Sequence, residues 1–244
     1  MGIINIVTKC NKYKILIINM KKYFLVYEDG THTEHVQKLI ESVNNYSDFE
    51  VITFYKSDIS QEFTLENKDI LNSSRGGGYW LWKPYIINNV LSKIEDGDLL
   101  FYLDSKYYFT ENFTELYSGP IQNTDILAWN NKPNETTNQF KFYCKPDVIH
   151  KYSMEDYAYN QNIDEFWAGA IFIKKTTSST SIMNEWLKMC CNYSDITDSP
   201  SISRNPYFVD HRHDQSLLTI VLYKNNIKKH FFEKKYLQNV RDPF

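Results

Sequence analysis

The chain has 244 residues, 42% of them hydrophobic and 23% charged, and a net charge of −3. That balance is globular rather than disordered and fits one large α/β domain more readily than two small ones. There is no excess of positive charge of the kind that marks nucleic-acid binding. Aromatics reach 16%, including 19 Tyr, but Asn, Lys and Ile are abundant beside them, so AT-rich coding bias accounts for the richness as well as carbohydrate stacking does.

No run reaches the roughly 18 apolar residues that a membrane span requires. Met1 to Met20 is apolar but broken by Lys9, Lys12 and Lys14, and it lacks the small-residue cleavage site of a signal peptide. Residues 1–19 read as an N-terminal extension or an extra strand, and 20–244 as the domain proper. The cysteines (Cys10, Cys144, Cys190 and Cys191) form no C-x-x-C pair, so neither a zinc site nor a disulfide framework is expected. A cytoplasmic location follows as the expectation.

The predicted elements begin with a strand over Tyr23–Tyr27 and a loop, Glu28 to Thr31. Val36, Leu39, Ile40 and Val43 recur at helical spacing in Thr33–Asn44. A second strand covers Phe49–Tyr55, and strand–helix–strand implies parallel pairing. Ser57–Ser74 is polar and irregular, with room for one short helix. A glycine-rich aromatic loop, Arg75–Lys83, then leads into a helix over Pro84–Ile94. Asp96-Gly97 is a turn, and Asp98–Leu103 is a buried strand ending on Asp104.

Tyr107–Ser118 reads as a short helix or loop, Thr124–Trp129 as a strand, and Asn130–Asn138 as a polar loop, either a lid or a solvated turn. Lys145–Tyr152 is a helix start with Pro146 near its first position, and Glu165–Ile173 is a strand. Ser181–Cys191 is a helix with Trp186 and Leu187 inward, and Asp195–Arg204 is a Ser/Pro/Asp-rich loop. His213–Tyr223 is a helix and Lys228–Phe232 a closing strand.

Three segments carry chemistry. The first, RGGGYWLWKP, spans Arg75–Pro84; its three glycines allow backbone amides to face an anion, and Arg75 and Lys83 add charge. The second, GDLLFYLD, ends on Asp104, where ligands bind in open α/β sheets. The third, HRHDQS, runs from His211 to Ser216 and is dense in ionisable groups. In this order and spacing they resemble GT-A-fold glycosyltransferases, and within them a group with a RGxGYWxWKP loop, a YxD strand and an HRxDQS segment found in bacteria and large DNA viruses. The resemblance implies a single GT-A-type, Rossmann-like α/β domain with a mixed, mostly parallel central sheet flanked by helices. It also implies transfer of a sugar from a nucleotide-diphosphate donor, with a UDP-sugar expected, to a glycan, glycoprotein or other hydroxyl acceptor. A viral protein of this kind would act in the host cytoplasm.

On that resemblance, Arg75, Gly77, Gly78, Lys83, Asp104, Lys106 and Arg212 are donor-binding candidates. Trp167, Gly169 and Gln215 are sugar or acceptor contacts, and Asp214 is the catalytic carboxylate. Asp104 takes the place of the first aspartate of the DxD motif, which in relatives meets a divalent metal. Here the triplet is Asp104-Ser105-Lys106. A lysine cannot ligate Mn²⁺ or Mg²⁺, so either Lys106 supplies charge instead of the metal or Asp104 holds the metal with other residues, His230 among the candidates. Plain structural alternatives stand beside each reading: Asp104 as a turn cap, Asp214 as an N-cap, Trp80, Trp82 and Trp167 as core, Gly169 as a packing glycine, and Arg212 as a partner of Asp210. His211 and His213 form one His-x-His, a weak metal signal, and Asp156, Asp164 and Glu165 are candidate acceptor bases. The departure at Lys106 also admits a weak or inactive relative that binds nucleotide-sugar or glycan without transfer.

Overall fold

A computed structural model describes residues 20–130, 139–230 and 236–240; the readings of 1–19 and of the loop at 131–138 lie outside them. Chain order runs β1 (Lys22–Glu28), α1 (Thr33–Tyr46), β2 (Glu50–Tyr55), two short helices (Gln61–Glu66 and Lys68–Leu71), α2 (Trp82–Leu91) and β3 (Leu99–Leu103). It continues with β4 (Tyr107–Phe109), β5 (Ile126–Asn130), β6 (Phe166–Lys174), α3 (Thr177–Cys190), α4 (His213–Lys224), β7 (Lys229–His230) and β8 (Leu237–Asn239), with further single helical turns between.

The main sheet has the order β2-β1-β3-β6-β5-β7. β1 pairs in parallel with both β2 and β3, β6 runs antiparallel to β3 and β5, and β7 is parallel to β5. The side-chain period of two divides the central strand between two cores. Leu99, Phe101 and Leu103 meet α1 and an aromatic cluster that includes Phe24, Phe49, Phe109, Phe113 and Phe172; Leu100 and Tyr102 meet α2, α3 and α4. Both faces are therefore covered, which is why β3 is wholly buried and reads as a continuous apolar run.

Helix bounds shift for local reasons. α2 begins at Trp82 rather than Pro84, because a proline is tolerated in a first turn whose N–H groups lack intrahelical partners. α3 begins at Thr177 because Thr176 and Ser179 cap each other's backbone N–H groups. α4 is buried on nearly all sides, as a helix between a sheet and another helix must be. Two departures are larger. Ser57–Ser74 holds two short helices, and Tyr107–Phe109 is a strand paired with β8 in a separate two-stranded sheet. Among the described residues no helix is long and apolar enough to cross a membrane.

Candidate active site

The carboxyl ends of β1 and β3 open onto a cleft of about 790 Å³ lined by Tyr27, Asp29, His32, His35, Gly77, Trp82, Tyr102, Asp104 and Lys106, among others. A second, of about 350 Å³, adjoins it and is lined by Arg75, Lys83, Trp167, Gly169, Arg212, Asp214 and Gln215. Trp80, Asp104 and Lys106 line both.

Lys83 lines the smaller cleft, against Asp104 on the shared wall. It lies in the first turn of α2 and is only 3% exposed. Its Nζ lies 3.4 Å from Asp104 Oδ1 and 3.0 Å from Asp214 Oδ2; Asp214 Oδ2 receives this ion contact without an aligned hydrogen bond. Burial acts against the ammonium, but the two carboxylates outweigh it and hold the Lys83 pKa above its ordinary value. Burial raises the Asp214 carboxyl to about 6, aided by the charge of Asp104 and opposed by Lys83. The Tyr102 hydroxyl donates to Asp104 Oδ1 at 2.8 Å. Sequence reading passed over Tyr102, yet a residue two before Asp104 on an extended strand shares its face.

The glycine loop is a left-handed turn: Gly76, Gly77, Gly78, Tyr79 and Trp80 all have positive φ. It is closed by Tyr79 N–H to Arg75 O at 2.7 Å and Trp80 N–H to Gly76 O at 3.2 Å. The N–H groups of Gly77 and Gly78 are likewise bonded within the turn, to Ser74 O and Arg75 O. For Gly77 and Gly78 the expectation that the amides face an anion is therefore corrected: these glycines serve the backbone's hand and close packing. Trp82 stacks on Tyr27 at 3.9 Å and donates its indole N–H to Gly76 O. Trp80 stacks on His213. Both tryptophans are half-buried and both line the larger cleft.

The third motif folds differently from its simple readings. Helix α4 starts at His213 with Arg212 at the cap, so Asp214 is not the N-cap; it lies inside the first turn and faces Lys83. Arg212 pairs with Glu165 at 3.3 Å and lies 3.5 Å over the Tyr143 ring, while Asp210 pairs with Arg75 at 2.8 Å. Glu165 is fully buried and accepts from Gln215 Nε2 and Ser216 Oγ, each at 2.7 Å. It lines neither cleft, and its carboxylate is taken up by these contacts. It anchors Gln215, whose Oε1 accepts from Ala168 N–H. Gly169 accommodates the indole of Trp167: a Cβ there would lie 2.3 Å from Nε1.

His211 and His213 hold the chain rather than a metal. His211 accepts from Lys145 N–H and donates to Asp195 O, and burial lowers its pKa to about 3. His213 Nδ1 donates to Ile196 O at 2.7 Å. His230 sits on β7, three strand steps from β3, or about 14 Å at the usual spacing, and lines neither cleft. A divalent cation takes about six oxygen ligands. Among the described residues no group of three His, Cys, Asp or Glu side chains could supply a metal site, and Asp104 already meets Tyr102, Lys83 and, at 3.9 Å, Lys106. These residues do not fit a divalent ion.

The sheet order, the covered faces and a cleft at the carboxyl ends of parallel strands together define a single α/β domain of GT-A, Rossmann-like fold. No protein-family model matches the sequence, and no curated protein matches it. Among solved structures, the WbbM bifunctional glycosyltransferase aligns with a TM-score of 0.52 and 12% identity over 88% of this chain and 39% of its own. Mouse xyloside xylosyltransferase 1 gives 0.47 and 10% over 88% and 85%, and the galactosyltransferase LgtC 0.45 and 13% over 92% and 88%. At 12% identity the likeness to WbbM is one of fold alone.

Proposed function

We propose that the chain is a glycosyltransferase that moves a sugar from a nucleotide diphosphate, a UDP-sugar, to a hydroxyl on a glycan. The observation that carries this is Lys83 buried between Asp104 and Asp214 where the two clefts meet. The nucleoside would occupy the larger cleft and the sugar and acceptor the smaller, beside Trp167, Gly169 and Gln215. In the transfer, the acceptor oxygen bonds to the anomeric carbon. The bond from that carbon to the diphosphate oxygen breaks, and its electron pair leaves on the diphosphate. Asp214 takes the hydroxyl proton; a carboxyl held near 6 is suited to do so at neutral pH. The RGxGYWxWKP, YxD and HRxDQS segments support placing it in the bacterial and viral group.

Titration with UDP and GDP, followed by donor-sugar turnover over a panel of UDP-sugars, tests the reading. UDP is expected to bind at micromolar Kd and at least one UDP-sugar to turn over. Asp214→Asn is expected to lower kcat by about 10² or more, the scale of a lost general base, with folding intact. No binding of either nucleotide would sink the proposal. The replacement of a second carboxylate by Lys106 favours one other reading, a relative that binds the donor without transferring it; UDP binding with no turnover on any donor would select it.

A further inference from the structure

We infer that the diphosphate of the donor is held by Lys106 without a divalent metal. This rests on the proposed nucleotide-sugar function and names the charge that replaces the ion. Lys106 lines both clefts. A donor whose nucleoside lies in one and whose sugar lies in the other must carry its diphosphate across their shared wall, past this side chain. The side chain is 42% exposed, and its Nζ lies 5.3 Å from the Tyr107 ring centroid. Its backbone carbonyl accepts from Val240 N–H at 2.8 Å, which holds the loop to the segment carrying β8.

The carboxylates that would hold a metal are committed elsewhere. Asp104 Oδ1 receives the Tyr102 hydroxyl and faces Lys83, and Oδ2 faces Lys106. Asp214 Oδ2 faces the same Lys83. A divalent ion on Asp104 would meet two ammonium groups and would have to displace them, and like charges in a poorly solvated site repel strongly. An anion in the same place meets Lys106 directly, and a compact ammonium is a ready phosphate partner.

The experiment is calorimetric titration of UDP and of uridine into the full chain, in excess EDTA and in Mn²⁺. The expected result is a UDP Kd that agrees within about twofold between the two conditions. Lys106→Ala is expected to weaken UDP by about tenfold or more while leaving uridine unchanged, and Lys106→Arg to retain UDP, which separates lost charge from lost folding. Lys106→Asp removes the cation and adds a carboxylate beside Asp104; UDP should then bind poorly in EDTA and recover with Mn²⁺. A wild-type UDP Kd at least tenfold weaker in EDTA than in Mn²⁺, or a Lys106→Ala Kd equal to wild type, would overturn the inference while leaving nucleotide binding established. Failure of both UDP and uridine to bind under any condition would sink the functional proposal and this inference with it.

Discussion

Lys83 shows what a charge must find once it is taken out of water. At 3% exposure an ammonium is costly unless opposite charges surround it, and here two carboxylates do. Removing the cation alone would leave Asp104 and Asp214 facing each other with Tyr102 as the hydroxyl donor. Lys83→Met should therefore cost about 3–5 kcal/mol, the usual penalty for breaking a buried pair from one side, read as a lower urea midpoint. A loss below about 1 kcal/mol would mean that the carboxylates are solvated or protonated without it. The motif singled out Lys83, Asp104 and Asp214 separately. That one lysine pairs with both aspartates was not visible, since the three lie 21 and 110 positions apart along the chain.

At the level of elements, the left-handed turn at Gly76–Trp80 sets the entry to α2 and the wall between the clefts. L-residues disfavour this hand by about 1–2 kcal/mol each, so the run of glycines is a backbone requirement. Gly78 has φ +99, and a Cβ there would come within 2.7 Å of Leu71 Cα, whereas a Cβ on Gly77 would meet only Trp82 Nε1, at an ordinary 3.8 Å. Gly78→Ala should destabilise by about 2 kcal/mol or more through strain and overlap, and Gly77→Ala by less; thermal melts of the two variants would check the order. Equal melting temperatures would show that the turn relaxes. The three adjacent glycines made a special backbone legible in the sequence. Its hand and its internally bonded amides were not, because both depend on the indole rings that close over Gly76. β4 escaped notice for a related reason: a three-residue strand exists only through its partner, and Leu237 pairs with Phe109 from far along the chain.

Across the whole molecule, two buried acids tie stability to pH. Burial raises Glu165 from 4.5 to about 7 and Asp214 from 3.8 to about 6. The folded chain thus keeps protons that the unfolded chain has released, so stability is greatest below about pH 4 for these groups and declines as pH rises toward 7. The Glu165 contribution is on the order of 3 kcal/mol. His211, held near 3 by burial, acts in the opposite sense up to about pH 6.5, so the test is a difference: the urea midpoint of wild type relative to Glu165→Gln should fall between pH 5 and 8, and a difference that does not change with pH would show that Glu165 does not titrate there.

The alternation and runs of apolar residues, together with turn signals, were enough to recover the strand–helix–strand start, the buried central strand and the place of Asp104 at its end, because those depend on local period and on burial. The motif segments likewise marked the ends of elements that meet. Which groups face one another was beyond reach of the sequence. Glu165 as an anchor for Gln215 and Arg212, the two histidines as clamps on residues 195 and 196, His230 at the far sheet edge and Lys106 on the shared wall of two clefts all follow from strand order and helix packing. Those bring distant positions together, and no local pattern encodes the distance between them.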